Sequence, residues 1–376
     1  MAVRVMYLVR PCRGGMLQHL NYLLRYLDRR KFIPLVVGPA EPELVSLPEQ
    51  LGADFRPLAL QAGWYPWSRW RLERELEEII RSERVELVHT HGVLAGLVGR
   101  RPAHRLGVPV VATYHNLVYS RPGSRWRKAL VARWQKGLAQ YTDRYLVVCR
   151  AVAEELVRVE GVPPEKIAVI PNGIDADRLQ NLFEQGVNCS RHFPPGTAVV
   201  GTFSRLIPEK GVDVFLRAAE KTARQWEPAR FLIVGDGPQR RRLESLCRRL
   251  GLEARVRFLG WVDEAAANLP HLAVYVQPSR QEGLSMAVLE AMAAGRAVVA
   301  SATGGLAELI RPGKNGLLVA PGNPEELAGA ILGLLRDPDR TVRLGQEARR
   351  TVQEKFSARR MAEKTQEVYH QLLDRS

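Results

Sequence analysis

Short apolar runs alternate with longer amphipathic stretches from one end of this chain to the other, and that rhythm leaves few folds open. Val3-Arg-Val-Met-Tyr-Leu-Val9, Leu35-Val-Val37, Leu87-Val88, Val108-Pro-Val-Val-Ala112 and Tyr145-Leu-Val-Val148 read as buried strands, with room between them for crossover helices. The rhythm pauses between Asp175 and Thr197. It resumes with Ala198-Val-Val-Gly-Thr202, Phe231-Leu-Ile-Val234, Val256-Arg-Phe-Leu259, Val274-Tyr-Val276, Ala297-Val-Val-Ala300 and Gly316-Leu-Leu-Val319. A chain of 376 residues exceeds one ordinary core. Two doubly wound α/β domains of Rossmann-like type are therefore expected: 1–175, joined by a C-terminal helix in 357–376, then a linker over 176–197, then 198–356. The last helix, roughly Ala358 to Leu373, carries Met361, Tyr369, Leu372 and Leu373 among charges and is expected to return to the first domain. Two such domains would face each other across a cleft at the carboxyl ends of their strands, where folds of this kind take ligands.

Charge narrows the partners. The formal net charge is +15, which attracts nucleic acid, nucleotide diphosphates or an anionic bilayer. No recognition helix, aromatic RNA-binding signature or zinc module stands out, so specific nucleic acid is not expected and a non-enzymatic polyanion binder has little support. Cys12, Cys149, Cys189 and Cys247 are far apart and show neither CxxC nor His-interleaved spacing, which argues against a disulfide framework or structural zinc. No run of about 18 apolar residues occurs and Met1 to Arg10 does not read as a secretory leader, so a cytoplasmic protein is expected.

The segment Pro278-Ser-Arg-Gln-Glu-Gly-Leu-Ser-Met-Ala-Val-Leu-Glu-Ala-Met-Ala-Ala-Gly295 holds one carboxylate in a turn, Glu282, and a second two helical turns on, Glu290. Gly283 and Ser285 can open a helix, Met286 to Ala294 are good helix formers and Gly295 is a left-handed stop. Free amides at the helix start would face a diphosphate. At about 100° per residue Glu290 lies roughly 80° around from Glu282, on a similar side, so one acid can touch a sugar and the other a ribose. The bland alternative is an amphipathic helix with two solvated glutamates.

Gly201-Thr-Phe-Ser-Arg-Leu-Ile-Pro-Glu-Lys-Gly211 follows a strand and leads into a helical pattern, placing Arg205 and Lys210 near the strand's carboxyl end, where they could hold a diphosphate leaving group. Gly14 and Gly15 in Arg10-Pro-Cys-Arg-Gly-Gly-Met16 would let a helix start approach a ligand, although a lone Gly-Gly also serves backbone needs alone. His89, His91 and His115 sit at strand ends. No third ligand stands at suggestive spacing to the His-x-His pair, so no metal site is expected, and His115 reads as a substrate contact. Walker A and Gly-x-Gly-x-x-Gly patterns are missing, and Asp175-Ala-Asp177 reads as turn chemistry.

Taken together, Gly14-Gly15, His115, Ile170-Pro-Asn-Gly-Ile-Asp175, Ser204-Arg-Leu with Glu209-Lys-Gly211, Val234-Gly-Asp-Gly-Pro238, Phe258-Leu-Gly260, Glu282 and Glu290 resemble the retaining glycosyltransferases of family 4, group 1, with the two-Rossmann GT-B architecture. The resemblance covers nearly the whole chain. It implies that Arg205 and Lys210 bind the donor diphosphate, that Glu290 takes the ribose hydroxyls and that Glu282 lies beside the donor sugar. It further implies that backbone from Gly283 through Leu284 and Ser285 to Met286 holds sugar and phosphate, that Val262 lies near the base, and that His115 is close to the transferred sugar. Transfer would retain anomeric configuration with no cofactor or catalytic metal. The donor would be a nucleotide sugar, the acceptor a glycan, lipid or small molecule of cell-envelope glycan synthesis. One departure is Glu-Gly-Leu-Ser at 282 to 285, where the family often has Glu-Gly-Phe-Gly. A nucleotide-sugar epimerase or phosphorylase on the same fold is the alternative.

Between Tyr119 and Arg144 lie Arg121, Arg125, Arg127, Lys128, Arg133, Lys136 and Arg144, while Trp126, Leu130, Trp134 and Leu138 recur every fourth residue. A second aromatic-basic patch is Trp64-Tyr-Pro-Trp-Ser-Arg-Trp-Arg71. The pattern is that of a basic amphipathic helix with interfacial aromatics, which suggests an anionic membrane surface as a partner. The other reading packs the tryptophans on the sheet and leaves the arginines solvated.

Overall fold

The computed structural model describes residues 2–11, 14–60, 66–119, 125–185 and 192–374, with the backbone alone at 66–68, 125, 127 and 128. The chain divides into two compact units, one made of residues up to Gly173 together with those from Ala358 on, the other Ile174–Ser357. The first runs β1 (Val3–Val9), α1 (Gly15–Arg25), β2 (Phe32–Gly38), α2 (Pro42–Gln50), β3 (Asp54–Pro57), α3 (Pro66–Ser82), β4 (Leu87–His91), α4 (Val93–Arg105), β5 (Val110–Tyr114), α5 (Arg125–Leu138), β6 (Arg144–Val147), α6 (Arg150–Glu155) and β7 (Ile167–Val169). The second runs α7 (Ala176–Gln185), β8 (Ala198–Phe203), α8 (Val212–Gln225), β9 (Ala229–Val234), α9 (Arg240–Arg249), β10 (Val256–Gly260), β11 (Val274–Gln277), α10 (Met286–Ala293), β12 (Ala297–Ser301), α11 (Gly304–Leu309), β13 (Leu317–Val319), α12 (Pro324–Leu335) and α13 (Pro338–Lys355). The last helix, α14 (Ala358–Leu373), belongs to the first unit.

Both sheets are parallel, with strand orders β3-β2-β1-β4-β5-β6-β7 and β10-β9-β8-β11-β12-β13. Central strands are covered on both faces, so their sequences are apolar without alternation. Val5 to Val9 in β1 are completely buried, as are Val274 to Val276 in β11. Each sheet is a doubly wound Rossmann-like arrangement, and the expected strands are present. Two edge strands, β3 and β7, were not visible as apolar runs: Asp54-Phe-Arg-Pro57 is largely exposed, and Ile167-Ala-Val169 is short and only partly covered.

Residues 176–185, expected within a linker, form α7, which packs on α10 and on the 3-10 segment Ala265–His271. Leu179 is the side chain this helix buries, and so little apolar surface gave the stretch the look of a connector. At the other end α14 packs on α1. Met361, Tyr369 and Leu372 are buried, the Tyr369 hydroxyl meets His89 Nδ1 at 2.6 Å, and Gln366 Oε1 accepts from the Asp28 amide at 2.8 Å.

The position of α10 depends on a close backbone approach. It stops at Gly295, which takes the left-handed φ of 67°. Helix α13 crosses that stop at Gly345, where an added Cβ would lie 2.1 Å from the Gly295 carbonyl oxygen. The Gly345→Ala variant is therefore expected to lose about 1–3 kcal/mol through overpacking, read as a lower denaturation midpoint of the second unit. An unchanged midpoint would mean that α13 is free to shift.

Candidate functional site

In doubly wound sheets ligands bind outside the carboxyl ends of the strands, at the point where the winding reverses. That point lies between β1 and β4 in one unit and between β8 and β11 in the other.

In the second unit the loops after β8 and β11 are tied together. The β8 loop ends in a turn at Pro208–Lys210 and then Gly211, with φ of 65°, where a Cβ would meet the Pro278 carbonyl oxygen at 2.0 Å. Glycine is required there for both reasons. The Arg280 amide donates to the Glu209 carbonyl at 2.8 Å, and the Arg280 guanidinium forks onto both carboxylate oxygens of Asp213 at 2.7 Å. Inside this frame Lys210 Nζ donates to Glu282 Oε1 at 2.8 Å and Oε2 at 2.6 Å. Glu282 is 3% exposed and also accepts from Ser279 Oγ at 3.0 Å and Gln277 Nε2 at 3.3 Å. Arg205 is exposed, and its guanidinium has no partner among the described residues.

Helix α10 starts just beyond. Gly283, Leu284, Ser285 and Met286 are buried, Ser285 is the N-cap residue with extended backbone, and Leu289 N donates to the Ser285 carbonyl. The amides of Met286 to Val288, ahead of that bond, have no acceptor within the helix. Glu290 keeps part of its surface open, yet its carboxyl is ringed by protein, and burial pushes it up to about 7 against the opposing charge of Arg178. Its carboxylate accepts no hydrogen bond from the described residues. Arg178, on α7, pairs with Glu264 at 3.2 Å and leaves Nη1 buried without a partner among the described residues. Val262 stands just past the end of β10, partly covered, after Gly260 with φ of 73°.

In the first unit Gly14 and Gly15 form the exposed start of α1. Gly14 has φ of 71°, and nothing lies within 4 Å of a Cβ placed there. His115, just past β5, is half-buried, and its Nε2 faces His91 Nδ1 at 3.3 Å. The His19 ring stands edge-on to His115, with centroids 4.7 Å apart. Burial is the main cause that holds His89, His91 and His115 well below the ordinary histidine range, with repulsion among the rings adding to it.

With this geometry in place, comparison with known proteins is decisive. Residues 13–178 match the model of Glycosyltransferase Family 4, and residues 197–337 that of Glycosyl transferases group 1. An uncharacterised glycosyltransferase of Methanocaldococcus jannaschii is 30% identical over 371 residues, 95% of this chain and 94% of the relative. The chain belongs to the family 4, group 1 glycosyltransferases. A D-inositol 3-phosphate glycosyltransferase of Catenulispora acidiphila is 33% identical over 285 residues, 70% of this chain and 65% of that relative. Among solved structures, Anabaena HepE in complex with UDP-glucose matches with a TM-score of 0.85 at 23% identity, covering 98% of this chain and 99% of HepE. Sucrose-phosphate synthase from Thermosynechococcus elongatus matches at 0.82 and 23%, covering 99% and 100%. The fold is GT-B.

The glycosyltransferase thus brings Lys210, Glu282 and the start of α10 together in one unit, and Gly14, Gly15 and His115 to the reversal point of the other. Four neighbours escaped the sequence reading: Ser279 and Gln277, which hold Glu282, Arg178, which faces Glu290, and His19. His19 lies four residues after Gly15, hence on the same face of α1, and that spacing was the available signal.

The basic helix is α5. Trp126, Leu130 and Trp134 are 65%, 39% and 37% exposed, with Arg133 and Lys136 exposed beside them. The side chains of Arg127 and Lys128, and residues 61–65 and 120–124, lie outside the described residues. Leu138 is buried instead, as is Gln135, whose Oε1 accepts from Arg100 Nη1 at 2.9 Å. The tryptophan stripe faces away from the sheet. Among the described residues no helix is long and apolar enough to cross a membrane.

The raised Glu290 carboxyl has a consequence for stability. A group whose pKa is higher folded than unfolded contributes stability below its unfolded value, here 4.5, and loses it as pH rises through about 7. The Glu290→Gln glycosyltransferase is therefore expected to gain about 1–3 kcal/mol on the wild type between pH 4.5 and 8, measured by urea unfolding at each pH. A difference that does not change with pH would rule out a buried, titrating Glu290.

Proposed function

We propose that this glycosyltransferase moves a hexose from a nucleotide-diphosphate sugar to an acceptor hydroxyl with retention of configuration, and that the acceptor is held at an anionic membrane surface in cell-envelope glycan synthesis. The observation that carries the donor half is the juxtaposition in the second unit: Glu290, whose carboxylate accepts no hydrogen bond from the described residues, on the helix whose first amides are open, beside Lys210. Glu290 accepts from the two ribose hydroxyls. Lys210, Arg205 and the α10 amides hold the diphosphate. HepE, of the same fold, has been solved with UDP-glucose, which supports a nucleotide-sugar donor.

In the reaction the bond from the sugar C1 to the diphosphate oxygen breaks while a bond from C1 to the acceptor oxygen forms on the same face. The acceptor proton passes to the departing phosphate oxygen, and the products are glycoside and nucleoside diphosphate. Charge grows on the leaving phosphate, where Lys210 and Arg205 act. Lys210 is neutralised by Glu282 before the donor arrives, so the diphosphate shares a cation already fixed in place. Glu282 and the Gly283–Ser285 turn lie beside the sugar in the second unit, and in the first His115, held neutral at physiological pH by burial, is a hydrogen-bond partner for substrate.

Calorimetric titration of UDP, GDP and ADP tests the donor site. One nucleotide is expected to bind, and Glu290→Ala or Lys210→Met to weaken it by roughly 10- to 100-fold, the worth of a hydrogen bond to a charged group. Affinity should also rise with pH through about 7 as the Glu290 carboxyl ionises and becomes the stronger acceptor. Equal binding by wild type and both variants would place the donor elsewhere. Release of nucleotide without acceptor would favour the epimerase reading.

The membrane half rests on the exposed stripe Trp126, Leu130 and Trp134 flanked by Arg133 and Lys136. The protein is expected to float with anionic vesicles at low salt, and Trp126→Ser with Trp134→Ser to lose most of that binding while keeping nucleotide affinity. No flotation at low salt would leave a soluble acceptor.

A further inference from the structure

Three imidazoles from three separate elements converge at the carboxyl edge of the first sheet. His19 comes from α1, His91 from the last position of β4 and His115 from the residue after β5. One ring nitrogen from each can be chosen so that all lie within 4.8 Å of one another. His91 Nδ1 and His115 Nε2 are 3.3 Å apart. Zinc–imidazole bonds of about 2.0–2.1 Å in tetrahedral geometry put ligand nitrogens roughly 3.4 Å apart, so one pair already has the required spacing and the third ring needs a movement on the order of 1 Å.

The surroundings favour ligation over simple packing. His19 Nδ1 lies 2.9 Å from Asn172 Oδ1, an acceptor only, so Nδ1 carries the hydrogen and Nε2 is left with its lone pair. This is the orienting contact that metal-binding histidines make. His91 is completely buried, and its Nε2 has no hydrogen-bond partner among the described residues, so Nε2 can carry the ring hydrogen and leave the lone pair on Nδ1, the nitrogen that faces His115. His89, tilted 33° to His91 with centroids 4.2 Å apart, is excluded as a ligand because both its nitrogens are taken, by the Tyr369 hydroxyl and by Thr113 Oγ1, each at 2.6 Å. Imidazole nitrogens are ligands suited to a borderline-soft cation. Arg10 is the charge that opposes one, being close enough to His115 to lower its proton affinity.

We propose that His19, His91 and His115 form a binding site for a transition-metal ion of the zinc class, with the fourth coordination position open. The sequence reading found no third ligand for the His-x-His pair because His19 is remote in sequence and reaches His91 only through the β1–α1 crossover. A bound ion occupies His115 and withdraws it from substrate, so zinc is expected to inhibit transfer reversibly. That last consequence rests on the transfer reading; binding itself does not.

The test uses tag-free full-length protein with Co2+ as the spectroscopic probe and Zn2+ in competition against a chromophoric chelator. One Co2+ per chain with the visible bands of tetrahedral coordination is expected, displaced by Zn2+. His19→Gln and His91→Gln should each bind at least 100-fold more weakly, and Asn172→Ala roughly 10- to 100-fold more weakly, the usual effect of removing an orienting partner. Circular dichroism identifies any variant that fails to fold; since Asn172 and His19 lie outside the strands, they keep the test open if His91→Gln does not. Failure of the folded wild type to take up Co2+, or equal uptake by wild type and the folded variants, overturns the proposal and leaves the three rings as a hydrogen-bonded positioning network.

Discussion

A cation and a carboxylate largely removed from water hold the second unit's site together. The side chains of Lys210 and Glu282 are 17% and 4% exposed. Burying such a pair brings a desolvation penalty that the mutual attraction offsets only when the remaining hydrogen-bond capacity is met. Ser279 and Gln277 meet it, and Tyr275 in turn donates to Gln277 Oε1 at 2.8 Å. The pair therefore fastens the loop after β8 to the loop after β11, and Gly211 and Gly304 are the backbone positions that let the chains close on it. At Gly304 an added Cβ would lie 1.9 Å from the Glu282 carbonyl oxygen. A phosphate-sized ligand arriving here meets a lysine whose rotamer is already restrained, which lowers the entropy lost on binding.

The two units share a strand order and differ in what fills their reversal points. The second is charged: Lys210, Glu282, Arg280, Asp213 and Glu290. The first is lined by neutral rings, and beneath α4 and α5 it holds a separate polar network in which the fully buried Arg100 donates to Gln135 and the Tyr114 hydroxyl. Glu160 completes that network through Tyr119 and Tyr114. Charged groups fixed in place suit a diphosphate, whereas neutral imidazoles suit hydroxyls or a borderline-soft cation. One topology thus supports two chemistries because ligand contacts lie in loops and strand ends, which the sheet positions without specifying.

What was legible in the chain follows from the same division. Continuous apolar runs marked the central strands, since a strand covered on both faces has no polar side to disguise it. Edge strands β3 and β7 lacked such a run, and α7 buried too little to resemble a helix. The acids and cations of the second site were legible because they lie within motifs along one stretch of chain. The partners Ser279 and Gln277 were not, being ordinary residues whose role depends on side-chain direction. His19 and Asn172 are 153 residues apart, and only folding reveals that they meet. Exposure of the Trp126 stripe was open from sequence because periodicity shows that residues share a face without saying which way it points.

The departure at 282 to 285 illustrates how local geometry limits a substitution's reach. Where relatives often carry glycine at the last of these positions, this chain has Ser285, whose backbone is extended with φ of −70° and ψ of 122°. A serine adopts that conformation without strain and is a favoured helix-cap residue. Its side chain caps nothing, so the α10 amides remain as available as with glycine. Leu284 is 5% exposed. The exchange therefore leaves the first amides of α10 as they were and changes the volume beside Glu282, and on the proposed reading a ligand there would be discriminated by one methylene or hydroxyl at a time, each worth about 1–3 kcal/mol.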